Sequence, residues 1–258
     1  MIGPVFEVAA DSYDRFMGRY SGPLAANFIA FAGVQPGWRV LDVGAGPGAL
    51  TSALVDMLGA GSVAAADPSP PFVEANRERH PGVDVRLAGA EDMPFADGAF
   101  DAALAQLVVQ FMSDPVRGVS EMARVTRPGG VVAACVWDFG TGRSPLSAIW
   151  GVAAEMDPSV EDEGDRVGVR PGQLADVFER AGLDAVEESE VSVTVEHESF
   201  DAWWQPMTFG VGPAGAWLAR QPPEIQDRVR ERCRDLYPDA PGIRTAVAWA
   251  ARGRAAPR

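Results

Sequence analysis

Apolar positions along the chain fall into two kinds of run. Short unbroken runs, RVLDVGAG (39–46), SVAAAD (62–67), VDVRLAG (83–89), FDAALAQLVV (100–109) and VVAACVWD (131–138), suit strands buried on both faces. Between them, GPLAANFIAFAG (22–33), ALTSALVDML (49–58), PPFVEANRERH (70–80) and PVRGVSEMARVT (115–126) carry apolar residues at helical spacing. Gly33 and Gly59 are stop signals, Pro115 starts its helix, and Pro128-Gly129-Gly130 predicts a tight turn.

Strand and helix alternating in this way predict a parallel, doubly wound α/β sheet with helices on both faces. The pattern changes after Asp138. SPLSAIWGVAAEM (144–156) and QLADVFERAG (173–182) predict helices, and the acidic segment 157–165 between them predicts a loop. DAVEESEVSVTVEHES (184–199) alternates apolar and polar residues, as a half-exposed strand does. Residues 199–236 read as helical and Trp-rich, and IRTAVAWAARG (243–253) as a last strand.

Composition narrows the function classes. The chain has 258 residues, 47% of them hydrophobic, which suits one α/β domain with a cap. The net charge of −14 disfavours a nucleic-acid surface, and the basic tail Arg252-Gly253-Arg254 reads as solvated. Every basic residue other than histidine is Arg, which excludes Schiff-base chemistry and Lys general bases. Cys135, in an apolar strand, and Cys233, in a helix, make neither a disulfide framework nor a zinc site. With only His80 and His197, a His-based metal centre is not expected. His80, at a helix end before Pro81, reads as solvated. No run reaches the about 18–20 apolar residues that span a bilayer. The start lacks a secretory pattern, so a cytoplasmic location is expected, without membrane association.

The strongest chemical signal is Val40-Leu41-Asp42-Val43-Gly44-Ala45-Gly46-Pro47-Gly48. Glycines after a first strand let a ligand approach the backbone and let the chain turn into a helix. Gly44, Gly46 and Ala49 also fit G-x-G-x-x-A, so a dinucleotide site is an alternative. Asp42 favours S-adenosylmethionine, because a carboxylate at the strand end suits a cationic ligand and repels a diphosphate. Asp67, closing the second strand, suits ribose hydroxyls in either case. The loop Ala90-Glu91-Asp92-Met93-Pro94-Phe95 can offer backbone N–H groups to an adenine edge.

LDVGAGPGALTSAL, AAADPSP, AEDMPFADGAFDAALAQ and ARVTRPGGVVAACVW, in this order and spacing, resemble the class I S-adenosylmethionine-dependent methyltransferases. They are most similar to the subgroup of ubiquinone and menaquinone biosynthesis methyltransferases. The resemblance covers roughly residues 11–138. It implies a Rossmann-like seven-stranded sheet in the order 3-2-1-4-5-7-6, strand 7 antiparallel, with a helical cap inserted in the C-terminal half. The chain then divides into a lid (1–35), a cofactor-binding core (36–138), and the cap with the last strands (139–258). By position, Gly44, Ala45, Gly46 and Gly48 would cradle the methionine part, Asp67 the ribose and Pro68 the adenine face. Ala90 and Glu91 would meet the adenine edge, and Gln106 would border the methyl group. Many members carry Asp where this chain has Gly89; Glu91 or Asp92 would take that role, or shape alone would hold the ring. The segment Tyr13–Tyr20 resembles the subgroup's N-terminal segments. There Tyr13 and Arg19 would bind the methionine carboxylate, an alternative being a helix that only packs on the sheet.

Methyl transfer from a sulfonium is an in-line displacement in which the protein aligns the acceptor and excludes water. A base is needed only for a protonated acceptor. Candidates for the acceptor wall are Gln110, Trp137, Trp203 and Trp204, with core the favoured reading for Trp137. Candidate bases are Asp138, which equally suits a helix or loop cap, and His197, whose neighbours Glu196 and Glu198 could raise its pKa, though a surface histidine on an edge strand is the favoured alternative. The expected acceptor is a small molecule. The alternatives are an NAD-type oxidoreductase and a non-methylating cyclase or regulatory module on the same fold.

Overall fold

A computed structural model describes residues 10–237 and 242–257. Residues 1–9 of the expected lid lie outside the described residues. Seven strands form one sheet in the order β3-β2-β1-β4-β5-β7-β6. Its parallel part comprises β1 (Val40–Val43), β2 (Val63–Asp67), β3 (Asp84–Leu87), β4 (Phe100–Gln106) and β5 (Thr126–Trp137). β7 (Gly242–Ala255) runs antiparallel between β5 and the edge strand β6 (Leu183–His197).

Strand alternation divides the core in two. On one face Val40, Leu104, Val131, Ala133, Cys135 and Trp137 meet Tyr20, Leu24 and Phe28 of α2 (Arg19–Ala32) and Leu50 and Leu54 of α3 (Ala49–Leu58). On the other, Leu41, Val43, Ala103, Val132 and Val136 meet Val119, Met122 and Val125 of α5 (Pro115–Val125) and Phe178 of α7 (Gln173–Arg180). α4 (Pro70–Arg79) covers β2 and β3. Each fully buried large aliphatic or Phe side chain contributes about 1.5–3 kcal/mol, which fixes strand register against a one-residue slip.

Three local expectations need correction. Pro128-Gly129-Gly130 lies inside β5, where pairing shifts from Phe100–Thr126 to Ala102–Val131 and Gly129 takes φ +72°. It is a bulge, the outcome glycine permits when the strand continues on both sides. The N-terminal helix starts before residue 22. α1 (Ala10–Tyr13) passes through a wide π turn, Asp14–Gly18, into α2. The tail is tied into the sheet: Arg252 and Arg254 belong to β7, and Arg252 donates to the Phe31 carbonyl at 2.8 Å and pairs with Glu187, while Arg254 is exposed.

The cap is helical. α6 (Ser147–Met156) precedes α7, and α8 (Phe200–Trp204), α9 (Gly212–Ala219) and α10 (Pro223–Leu236) lie between β6 and β7. Among the described residues, no helix is long and apolar enough to cross a membrane.

Candidate active site

The carboxyl end of β1 runs into Gly44-Ala45-Gly46-Pro47-Gly48 and then α3. Gly44, Gly46 and Gly48 take φ of +67°, +54° and +106°. A Cβ on Gly44 would stand 2.5 Å from the Val108 methyls, and one on Gly48 2.6 Å from His80 Cε1. Two of the loop's glycines are therefore required by conformation and by space.

Carboxylates hold the loop from two sides. Asp42 is buried, and its Oδ2 accepts from Thr51 Oγ1 at 2.7 Å beneath the loop. Burial pushes the Asp42 carboxyl up to about 7, against the Thr51 bond. Asp67 accepts from the Gly46 N–H and the Ser69 N–H, both at 2.8 Å. Burial pushes Asp67 up to about 6 even so. His80, expected in solvent, is buried below Gly48, with Nε2 2.8 Å from Ser52 Oγ and Nδ1 2.8 Å from Asn76 Oδ1.

Above the loop opens a cavity of about 370 Å³, bounded by Gly44, Gly46, Asp67, Pro68, Ala90 and Glu91. That volume lies within the usual span of small-molecule sites, about 300–1,000 Å³. It sits where strand order reverses beside β1 and β4, the ligand position of doubly wound sheets. Tyr13 of α1 borders it, its ring edge-on to Phe72 at a centroid distance of 5.3 Å. Leu107 lines it too, with φ +65°, a left-handed conformation that costs a leucine about 1–3 kcal/mol. A second, smaller space of about 30 Å³ shares Tyr13, Leu107 and Phe111 with the first. Its polar side chains include Gln110, Trp137 and Glu163.

A methyltransferase domain family matches residues 41–134, the stretch that builds this loop and cavity. The ubiquinone/menaquinone biosynthesis C-methyltransferase UbiE of Cupriavidus taiwanensis is 30% identical over 209 residues, 72% of this chain and 85% of the relative. The chain belongs to the class I S-adenosylmethionine-dependent methyltransferases. A demethylmenaquinone methyltransferase of Beutenbergia cavernae is 38% identical over 120 residues, so the match spans about half of each protein, 46% of this methyltransferase and 48% of the relative. In shape it resembles a chain of the complex between the Haloferax volcanii Trm112 methyltransferase activator and a methyltransferase. That match has a TM-score of 0.62 at 22% identity and covers 98% of each chain. At that identity the likeness concerns the fold alone.

The methyltransferase's cavity brings together Tyr13, Gly44, Gly46, Asp67, Pro68, Ala90 and Glu91 from the residues expected in sequence. Ala45 and Gly48 shape the loop without lining the cavity, and Asp42 lies beneath it. Asp92 is exposed and outside it. The Glu91 carboxylate turns aside to accept from the Ser113 N–H at 2.8 Å. Gln106 borders neither space, and its amide instead donates to the Ser21 carbonyl at 3.0 Å, tying α2 to β4.

Five further expectations are corrected. Arg19 does not line the cavity and donates to the Ala202 and Trp203 carbonyls, each at 2.9 Å, which clamps α2 to α8. His197 is buried at the far end of β6, with Nε2 2.9 Å from the Tyr20 hydroxyl. Burial, with Arg19 and Arg244, lowers its pKa to about 4, the opposite of the expected rise. Glu196 and Glu198 cannot raise it, because strand alternation leaves them on the exposed face. Asp138 is fully buried in a turn, accepting from the Thr141 N–H at 2.9 Å and pairing with Arg143 at 2.7 Å. Burial raises its pKa, but these bonds together hold it below the usual carboxylate range. Trp203 and Trp204 wall neither space. They pack with Phe200 and Tyr237 in the cap, where the Phe200 and Trp204 rings stack at 6.1 Å. Trp137 is core and wall at once: its ring is buried against Tyr20 and also borders the smaller space, which Gln110 joins.

Glu163 escaped sequence reasoning. It stands in Glu161-Asp162-Glu163, a run that reads as solvated, yet it is 2% exposed and accepts from Trp150 Nε1 at 3.0 Å. The one signal available was an indole in the preceding helix, a donor that needs an acceptor when buried.

Proposed function

We propose that this methyltransferase binds S-adenosylmethionine in the 370 Å³ cavity and methylates a small-molecule acceptor from the side of Leu107. The observation that supports this most is the pairing of a positive-φ glycine loop with the buried Asp67 carboxylate in one cavity. When bound, the cofactor supplies a methyl group already activated on a sulfonium, so the protein's task is alignment and exclusion of water. Gly44, Ala45, Gly46 and Gly48 let the methionine part approach the backbone. Asp67 has lone pairs beyond its two backbone bonds and takes the ribose hydroxyls. Pro68 flanks the adenine, and Ala90 with Glu91 meets its edge. Tyr13 covers the cofactor. Asp42 acts at one remove, holding Thr51 and adding negative charge below the cationic end.

A diphosphate placed on this loop would face Asp67 with Asp42 behind it, which disfavours the NAD-type reading. The charge of −14 disfavours a nucleic-acid acceptor, and the cytoplasm is the compartment proposed. Titration calorimetry tests the assignment. S-adenosylhomocysteine is expected to bind and NADH not, and Asp67→Asn is expected to weaken S-adenosylhomocysteine about tenfold or more, from loss of charge-assisted hydrogen bonds. Tight NADH binding without S-adenosylhomocysteine binding would sink the reading. Release of S-adenosylhomocysteine on incubating the loaded protein with cell extract separates a methyltransferase from a binding module or cyclase.

A further inference from the structure

We propose that the small space behind Leu107 is the acceptor subsite, and that Glu163 is its general base, serving a hydroxyl carried on an apolar ring. The proposal rests on the cofactor placement above. The space borders the cofactor cavity through three shared walls, Tyr13, Leu107 and Phe111, so an acceptor in it would lie next to whatever the larger cavity holds.

Its polar inventory is small and unbalanced. Gln110, Trp137 and Glu163 are 7%, 2% and 2% exposed. Trp137 Nε1 and Gln110 Oε1 are buried without a hydrogen-bond partner. One is a donor and the other an acceptor, and each costs about 1–3 kcal/mol while unpaired. A hydroxyl answers both senses, since it donates and accepts. The remaining walls include Phe16, Met17, Phe139 and Leu146, which suit an apolar ring. At about 30 Å³ the space now takes one or two waters. In this proposal a ring enters only as the walls yield, and Phe16 and Met17, in the wide π turn, are the walls assigned to move.

Glu163 is built as a base. Trp150 Nε1 donates to its Oε2 at 3.0 Å, which orients the carboxyl. The charged groups acting on it are Arg166 and Asp162 of its own segment, and Tyr13 is the other titratable wall. Burial pushes the Glu163 carboxyl up to about 7, against the Trp150 bond, which matches a base working near neutrality. In the transfer, the acceptor oxygen forms a bond to the methyl carbon as the carbon–sulfur bond breaks and sulfur keeps the electron pair. The hydroxyl proton passes to Glu163 and later to water. Neither His197 nor Asp138 borders the space.

The test uses the full chain loaded with S-adenosylhomocysteine, and phenol, 2-naphthol, naphthalene and benzylamine as probes. Calorimetry is expected to show 2-naphthol binding at least tenfold tighter than naphthalene, and tighter at pH 8 than at pH 5.5. Glu163→Gln should remove that pH dependence while S-adenosylhomocysteine affinity stays within about twofold. With S-adenosylmethionine, methylation of a hydroxyl probe should rise with pH to a plateau above about 7, and Glu163→Gln should lower it about 10²–10⁴-fold. Trp150→Phe, a positioning variant, should move the inflexion upward with a smaller loss. Hydroxyl probes that bind wild type and Glu163→Gln alike, or that are never methylated, overturn the proposal, as does a preference for benzylamine. Failure of S-adenosylhomocysteine to bind wild type sinks the cofactor placement and this proposal with it. Intact cofactor binding with Glu163-indifferent probes overturns this proposal and leaves the cofactor placement standing.

Discussion

His197 lies between two glutamates in sequence, yet in space it meets Tyr20 and Arg19. Strand alternation turns the glutamates to solvent and the imidazole inward, so burial and then Arg19 and Arg244 set its pKa at about 4. The consequence for stability has a definite sign. Between about 6.5 and 4 the unfolded chain takes up a proton on this histidine that the native protein refuses, so acidification through that window destabilises the fold. His197→Gln is expected to flatten the melting temperature against pH across it. At pH 7.5 the variant should lose about 1 kcal/mol with the Tyr20 bond, while S-adenosylhomocysteine binding is kept. Calorimetric melts from pH 4 to 8 check it, and an unchanged acid slope would contradict the assigned burial. Glu163 is the converse case. Its neighbours in the acidic run suggested a solvated loop, and only packing against Trp150 reveals a buried acid. Single-residue chemistry was least legible where it depends on a contact distant in sequence.

Elements were far more legible, because an unbroken apolar run such as VVAACVW leaves few alternatives to a buried strand. What escaped were interruptions with no apolar signature: the π turn at Asp14–Gly18 and the bulge at Gly129. The glycine loop was readable in position and conformation, since its residues are fixed by backbone geometry rather than by distant partners. Gly48 illustrates the strength of that constraint, with φ +106° and His80 Cε1 2.6 Å from where a Cβ would stand. Gly48→Ala is expected to cost about 1–3 kcal/mol, lowering the melting temperature by several degrees. Adding His80→Ala should recover the steric part and leave the conformational part. Measured against His80→Ala alone, which loses the Ser52 and Asn76 bonds, a Gly48→Ala cost that is unchanged would show that the backbone angle carries it.

At the scale of the whole molecule, the strand order gathers buried acids at one end of the sheet. Asp42 and Asp67 end neighbouring strands, and Glu163 borders the space behind β4 and β5. Burial raises them to about 7, 6 and 7. That convergence was only partly legible: the glycine loop announced Asp42 and Asp67, whereas Glu163 joins them only through the fold of the cap. An acid raised by burial is neutral below its folded pKa and charged above it, so this end of the sheet gains negative charge between about pH 5.5 and 8. S-adenosylmethionine carries one positive charge more than S-adenosylhomocysteine and otherwise nearly the same shape. Raising the pH through that range should therefore strengthen the sulfonium form relative to its product. One unit charge at about 7 Å and an effective dielectric near 20 gives about 2 kcal/mol, which solvent screening reduces to a change of about tenfold in the affinity ratio. Calorimetry of both ligands at pH 5.5 and 8 measures that ratio directly. A ratio that stays constant would mean that the acids do not change charge in this range or do not face the sulfur, and the electrostatic argument for the proposed orientation of the cofactor would fall.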